Sequence, residues 1–312
     1  MPSKLEQLRE MTVVVADSGD IEAIREFRPQ DCTTNPSLIL KAISLPGYKQ
    51  FLSDAQKSAA SGGVEAAMDT LTVKVGTELS KIVPGNVSTE VDARLSYDTQ
   101  ASIDKARTLI GLYEKEGVGK DRILIKLATT WEGVQAAKVL QAEGIRCNMT
   151  LVFSLAQAVA SAQVGAYLIS PFVGRITDWY KKARGVDGFA PDDDPGVQSV
   201  REIYKHFKSH GYQTVVMGAS FRTKEQIEAL AGCDRLTISP QLLGELAADQ
   251  GELPRVLTPE EGHETEAPIT EPEFRWQLGA DPMATEKLAD GIRQFHADSE
   301  KLRKMLTEVV SA

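Results

Sequence analysis

The sequence predicts one α/β barrel, in which eight parallel strands are each followed by helical chain. Three observations carry this. Eight short apolar, β-branched runs recur along the chain between turn residues. Amphipathic segments with plausible caps lie between them, and strict β/α alternation implies a parallel sheet with right-handed crossovers. The polar residues of the runs also gather on one strand parity, as expected where one face packs on helices and the other lines a closed interior.

In order, the runs are TVVVADS (12–18), CTTNPS (32–37), NVSTEVD (86–92), ILIKLA (123–128), CNMTLVF (147–153), YLISPFV (167–173), TVVMGAS (214–220) and LTISP (236–240). Helices are predicted over 20–27, over 36–83 in several pieces, and over 99–116, 131–143, 154–163, 195–210, 223–231 and 241–249. Asp194-Pro195 makes a good N-cap and first-turn pair, and Gly144, Gly211 and Gly232 stand where helix C-caps belong. Eight such units close into a (β/α)8 TIM barrel with its core at about 12–250. Residues 251–272, rich in Pro, Glu and Thr, read as a surface excursion. A helical extension follows over about 273–311, where Leu288, Ile292, Phe295, Leu302, Leu306 and Val309 form an apolar stripe that packs on the barrel. With additional helix at the N-terminus as well, residues 1–312 read as a single barrel domain.

Composition limits the functional classes. The 312 residues are 42% hydrophobic and 25% charged, enough for a large core. A net charge of -9 with no dense Lys/Arg run argues against nucleic acid as a partner, while leaving room for a local phosphate site. Cys32, Cys147 and Cys233 are odd in number and widely spaced, which suggests free thiols in a reducing compartment, the cytoplasm. The first ten residues carry charges throughout and lack a signal-peptide core. Residues 147–174 are uncharged and long enough to span a bilayer. Asn148, Gln157, Ser161, Gln163 and Gly165 interrupt them, so they read as buried strand, short helix and buried strand, and no membrane association is expected.

Splitting each strand by parity gives a polar set: Val13, Val15 and Asp17; Asp31, Thr33 and Asn35; Ser88, Glu90 and Asp92; Leu124, Lys126 and Ala128; Asn148 and Thr150. The later strands add Leu168, Ser170 and Phe172, then Gly218 and Ser220, then Thr237 and Ser239. Most of these polar groups lie toward the strands' C-terminal ends, where barrel enzymes hold their active sites.

Lys126 is the sharpest signal, because a lysine inside an apolar strand needs a partner or a purpose. It reads either as a structural ion pair with Asp17 or Glu90, or as a desolvated amine that attacks a carbonyl to form a Schiff base. Asp17 and Glu90 are acid/base candidates or simple charge balance. Asn35, Asn148 and Thr150 could hold substrate hydroxyls or satisfy backbone groups. Arg175 and Arg222, each just past a strand end and beside Ser170 and Ser220, read as a phosphate clamp or as surface ion pairs.

His206, His210, His263 and His296 all fall outside strand ends, which disfavours a zinc-dependent aldolase or a Ser-His-Asp hydrolase. The helical spacing of His206 and His210 reads as surface residues rather than ligands. No Walker loop or G-x-G-x-x-G occurs. The run Asp192-Asp193-Asp194 reads as a solvated helix start, not a calcium loop.

Taken together, VVVADSGD, CTTNPSLIL, VSTEVDARLSYDT, RILIKLATTWEG, CNMTLVFS, LISPFVGRITDWY, VVMGASFR and AGCDRLTISP, in order from Val13 to Pro240, closely resemble the transaldolase family. The C-terminal WQ...DPMA...KLADGIRQF segment is similar to the classical-length bacterial form. The resemblance implies a Schiff-base enzyme of the pentose phosphate pathway that moves a dihydroxyacetone unit from sedoheptulose 7-phosphate to glyceraldehyde 3-phosphate, with no metal or organic cofactor. It implies Lys126 as the nucleophile, Asp17 as the group that takes the C4 hydroxyl proton, and Glu90 acting with Thr150 and a held water. It implies that Asn35 and Asn148 hold the three-carbon unit, that Arg175, Arg222, Ser170 and Ser220 bind phosphate, and that Thr33 and Phe172 complete the substrate site. A homodimer is the family-level expectation. The nearest rival is a Schiff-base aldolase that releases free dihydroxyacetone; a carboxylate-pair glycoside hydrolase and a non-catalytic sugar-phosphate binder are more distant.

Overall fold

A computed structural model describes residues 2–259 and 262–308. Val309 of the predicted apolar stripe lies outside the described residues, as do 260–261 of the surface excursion. Eight parallel strands pair in sequence order, and the last closes on the first. They are β1 (Val13–Asp17), β2 (Asp31–Thr33), β3 (Val87–Glu90), β4 (Ile123–Ala128), β5 (Cys147–Val152), β6 (Leu168–Pro171), β7 (Val215–Gly218) and β8 (Arg235–Ile238). Each falls within or beside a predicted run.

The helices are α1 (Lys4–Arg9), α2 (Ile21–Phe27), α3 (Pro36–Ala42), α4 (Lys49–Ser80), α5 (Thr99–Lys115), α6 (Trp131–Ala142), α7 (Leu155–Gln163), α8 (Gly174–Arg184), α9 (Pro195–Ser209), α10 (Lys224–Glu228), α11 (Pro240–Ala248), α12 (Glu271–Ala280) and α13 (Pro282–Glu308). Their starts follow local chemistry. Asp20, Asn35, Asp98, Thr130, Ser154, Asp194 and Ser239 each accept a hydrogen bond from an amide of the helix they open. Gly144, Gly211 and Gly232 take φ of 73°, 68° and 99° past helix ends, as their positions predicted. α4 is broken at Gly63, whose φ is 77°.

Several expectations change. Asn35 does not continue β2: its side chain caps α3, and the strand ends at Thr33. α8 had no predicted counterpart, and the single C-terminal helix is two, divided at Asp281-Pro282 because proline opens the second. Asp194 is buried rather than solvated, accepting from Thr177 Oγ1 at 2.7 Å and Gln226 Nε2 at 2.8 Å. On β7 the inward side chain is Met217, followed beyond the strand by Ala219, not Gly218 and Ser220; Ser220 has left the strand with φ of 61°.

Inside the barrel, Val15, Leu124, Leu168 and Met217 form an apolar plug. The opposite parity, including Val14, Ile123, Ile125 and Leu127, packs outward on the helices. The plug fills the lower interior, so polar side chains on the same strands are left at the C-terminal mouth. α13 crosses this mouth and packs Leu288 and Phe295 on Phe153, Phe172 and Leu151. Leu151 reaches it because β5 carries an irregularity between Met149 and Val152, with φ of 57° at Leu151. Among the described residues, no helix is long and apolar enough to cross a membrane.

Candidate active site

Strand register assembles the centre. Glu90 pairs with Lys126 across β3 and β4, and Lys126 with Asn148 across β4 and β5, while Asp17 pairs with Thr33 across β1 and β2. Residues that are far apart in sequence are thereby placed in one layer around the barrel. Lys126 is 4% exposed. Its Nζ lies 3.4 Å from Glu90 Oε2 and donates to the Thr34 carbonyl oxygen at 3.4 Å.

Two hydrogen-bonded walls flank the lysine. On one, Thr33 Oγ1 donates to Asp17 Oδ1 at 2.8 Å and contacts Thr237 Oγ1 at 2.7 Å. On the other, Ser170 Oγ donates to Asn148 Oδ1 at 2.6 Å, and Asn148 Nδ2 donates to Ser88 Oγ at 3.1 Å. Burial pushes the Asp17 and Glu90 carboxyls above their ordinary pKa values, against the nearby Lys126 that favours their ionised forms. Glu90 Oε2 and Thr150 Oγ1 are buried and make no aligned hydrogen bond among the described residues, so both retain capacity for a bound group.

A cleft of about 330 Å³ opens above this layer, and Asp17, Thr33, Asn35, Lys126, Ser170, Phe172, Arg175, Ser220 and Arg222 all line it. Glu90, Asn148 and Thr150 do not line it; they stand in the barrel wall around Lys126. The Arg175 guanidinium lies 5.3 Å from the Phe172 ring and 5.6 Å from the Phe295 ring. It makes no hydrogen bond or ion pair among the described residues. Arg222 is different: Nη2 and Nε donate to Asp178 Oδ2 at 2.8 and 3.0 Å, and Nη1 to Ser220 Oγ at 3.4 Å. Burial and the neighbouring Arg222 hold the pKa of Arg175 below its ordinary value.

The sequence profile of the Transaldolase/Fructose-6-phosphate aldolase family matches residues 14–306. The chain belongs to this family. It is similar to a transaldolase of Alteromonas mediterranea, 56% identical over 319 residues and covering all of both chains. A transaldolase of Marinomonas sp. (strain MWYL1) is 57% identical over 317 residues, covering 99% of this chain and 100% of that protein.

For a member of the transaldolase/fructose-6-phosphate aldolase family, the cleft also contains groups that strand parity did not reveal as site residues. Phe295 and Gln294 arrive from α13, and Ser37 and Lys41 from α3. Phe295 was legible only as part of an apolar stripe; its ring centroid lies 5.9 Å from Lys126 Nζ. Lys41, in the last turn of α3, joins Arg175 and Arg222 in making the cleft rim cationic on a chain of net charge -9. α13 is fastened above the mouth by Ser37 to Asp298, by Arg303 to Glu65 at 3.0 Å, and by Trp179 Nε1 to Glu286 at 2.7 Å.

Proposed function

We propose that the chain is a transaldolase, moving a dihydroxyacetone unit reversibly from sedoheptulose 7-phosphate to glyceraldehyde 3-phosphate to give erythrose 4-phosphate and fructose 6-phosphate. The observation that carries this reading is Lys126, buried on a central strand beside Glu90 at the floor of a cleft that also holds Asp17 and has a cationic rim.

Neutral Lys126 Nζ attacks the C2 carbonyl of the ketose, and Glu90, with Thr150 and a water, transfers the protons by which the carbinolamine loses water. The resulting iminium accepts the electron pair of the C3–C4 bond as Asp17 removes the C4 hydroxyl proton. An aldehyde departs and an enamine remains on Lys126, which adds to the incoming aldehyde before hydrolysis frees the new ketose. The imine is itself the electron sink, so the scheme is written without a metal or organic cofactor.

Asn35 and Asn148 hold the hydroxyls of the three-carbon unit, and Thr33 positions Asp17. Arg175, Arg222 and Ser220 bind the phosphate, while Ser170, which donates to Asn148, acts as much through that amide as on phosphate. Phe172 and Phe295 flank Arg175 and keep water from Lys126. Three buried free thiols fit a cytoplasmic setting, and the family carries the expectation of a homodimer.

Borohydride reduction with fructose 6-phosphate, followed by peptide mapping, should leave a stable three-carbon adduct on Lys126 and none in Lys126→Met. An unmodified Lys126 would overturn the imine route. With fructose 6-phosphate alone, rapid release of free dihydroxyacetone would instead assign the aldolase activity.

A further inference from the structure

We propose that His206, His210 and Glu266 form a binding site for a divalent transition ion of the Zn²⁺ class, fastening the segment after α11 to α9 on the face of the barrel away from the cleft. The two histidines alone, one helical turn apart, read in sequence as surface residues. What changes the reading is the third group that the fold delivers to them.

The segment is held against the end of α9 by backbone hydrogen bonds from Gly262 N to the Lys208 oxygen at 3.1 Å and from Glu264 N to the Ser209 oxygen at 3.0 Å. Gln163 on α7 then grips it further along, donating to the Ala267 oxygen at 3.1 Å and accepting from Ile269 N at 2.8 Å. Between these anchors Glu266 Oε1 comes to 3.1 Å from His206 Nε2. Tyr212 also donates its hydroxyl proton to Glu266 Oε1, which fixes the carboxylate and leaves Oε2 free of that contact.

The two imidazoles lie side by side, so a rotation of the rings is needed to turn a nitrogen of each toward one ion. Their rings stack at 4.0 Å with 21° between planes. His210 Nδ1 lies 2.9 Å from the His206 carbonyl oxygen, which can only accept, so Nδ1 carries the proton and Nε2 keeps its lone pair. The His206, His210 and Glu266 side chains are 19%, 11% and 26% exposed, open enough for an ion to enter.

Ligand atoms of the three residues lie within 4.8 Å of one another. Tetrahedral ligands each about 2.1 Å from one zinc are about 3.4 Å apart, so closing the set takes up to about 1.4 Å, within the reach of side-chain rotation. Glu264, 69% exposed with Oε2 at 3.8 Å from His210 Nε2, is placed to supply a fourth ligand. Two imidazoles with carboxylate oxygen suit zinc, cobalt or nickel better than calcium or magnesium. On binding, the ion replaces the direct contact between His206 Nε2 and Glu266 Oε1.

The test uses the full chain, stripped with a chelator and titrated with Zn²⁺ alone by calorimetry, and with Co²⁺ followed by visible absorption. The expected result is saturable binding at one equivalent, with the intense cobalt bands of a low-coordinate nitrogen and oxygen site. His210→Ala and Glu266→Ala should weaken zinc binding by about tenfold or more. Zinc should raise the melting temperature of the parent protein but not of these variants, and sugar-phosphate turnover should be unchanged in all. Glu266→Gln, which keeps an acceptor for Tyr212, serves if the alanine variants fold poorly. No saturable uptake, or zinc affinity undiminished in His210→Ala and Glu266→Gln, would overturn the site without touching the transaldolase reading.

Discussion

Lys126 Nζ lies 3.4 Å from Glu90 Oε2 with both side chains almost wholly buried, and the contact is built into the sheet because the two residues are direct register partners on β3 and β4. An ion pair so deep is weak evidence for stability, since desolvation opposes the attraction. It does fix where an acid/base group stands relative to the amine. Glu90→Gln preserves shape and removes proton transfer, so kcat should fall by about 10² to 10⁴. The Lys126 adduct should still be trappable by borohydride but should form more slowly in rapid-quench experiments. A near-normal kcat would reduce Glu90 to charge balance.

In the proposed scheme Asp17 supplies the pH dependence. Burial raises its pKa above the ordinary value of 3.8, while Lys126 and the Thr33 hydrogen bond oppose the rise. The scheme needs the ionised form, so kcat for ketose cleavage should fall on acidification through a midpoint above the ordinary aspartate range. Thr33→Val removes a bond that favours ionisation and should move that limb further up in pH. The stability consequence has the opposite sign to a salt-bridged carboxylate: the folded state binds the extra proton, so Asp17 lowers stability as pH rises from the ordinary value through the raised one. Asp17→Asn should remove this component from the pH dependence of the melting temperature. An acid limb at or below the ordinary range would exclude Asp17 as the base.

Strand parity makes much of this centre legible in the sequence, because the period of two is rigid and one face of each strand must line the interior. Lys126, Glu90, Asn148, Thr150, Asp17 and Thr33 all follow from it. It failed on β7, where Met217 faces the plug and Ser220 turns out of the strand with a left-handed φ of 61°. Asn35 was legible as a site residue for the wrong local reason, since it caps α3 rather than extending β2. Phe295, Gln294 and Lys41 were not legible as site residues, because helix periodicity reports which face is apolar and not what that face covers. Glu266 carries no local signal; only the docking of its loop on α9 brings it to the histidines.

The cationic rim separates two arginines that look alike in sequence. Arg222 is paired with Asp178, both side chains being more than 40% exposed, so that pair contributes at most about 1 kcal/mol and can yield to a phosphate. Arg222→Ala should therefore raise KM for phosphorylated ketoses by about 10- to 100-fold, the worth of a charged hydrogen bond, with little change in melting temperature. An unchanged KM would leave Arg222 a surface ion pair.

The two arginine loops meet through Gly174. A Cβ there would lie 2.5 Å from the Ser220 carbonyl oxygen and 2.7 Å from Arg222 Cγ. Gly174→Ala should wedge the loops apart, lowering stability by about 1–3 kcal/mol and raising KM for phosphorylated substrates in parallel. Equilibrium denaturation and KM measured together check this, and a variant with normal stability and KM would show that the loops have slack.

Phe295 joins the C-terminal helix to the chemistry. It is 3% exposed, its ring lies 5.9 Å from Lys126 Nζ and 5.6 Å from the Arg175 guanidinium, and it projects from α13 one turn after Gly291. At Gly291 a Cβ would come 2.6 Å from Leu151 Cδ2, so the absence of a side chain lets α13 sit low over the mouth. Phe295→Ala should lose about 3 kcal/mol of stability, the lower end for a buried aromatic because the space opens on a cleft and can take water. On the proposed route the same water would reach the enamine on Lys126 and compete with the acceptor aldehyde. Free dihydroxyacetone released per sugar transferred, measured with fructose 6-phosphate at limiting acceptor, should therefore rise in Phe295→Ala and return toward the parent value in Phe295→Leu. If the ratio stays constant while stability falls, Phe295 is packing alone, and exclusion of water must come from Phe172 and the bound sugar.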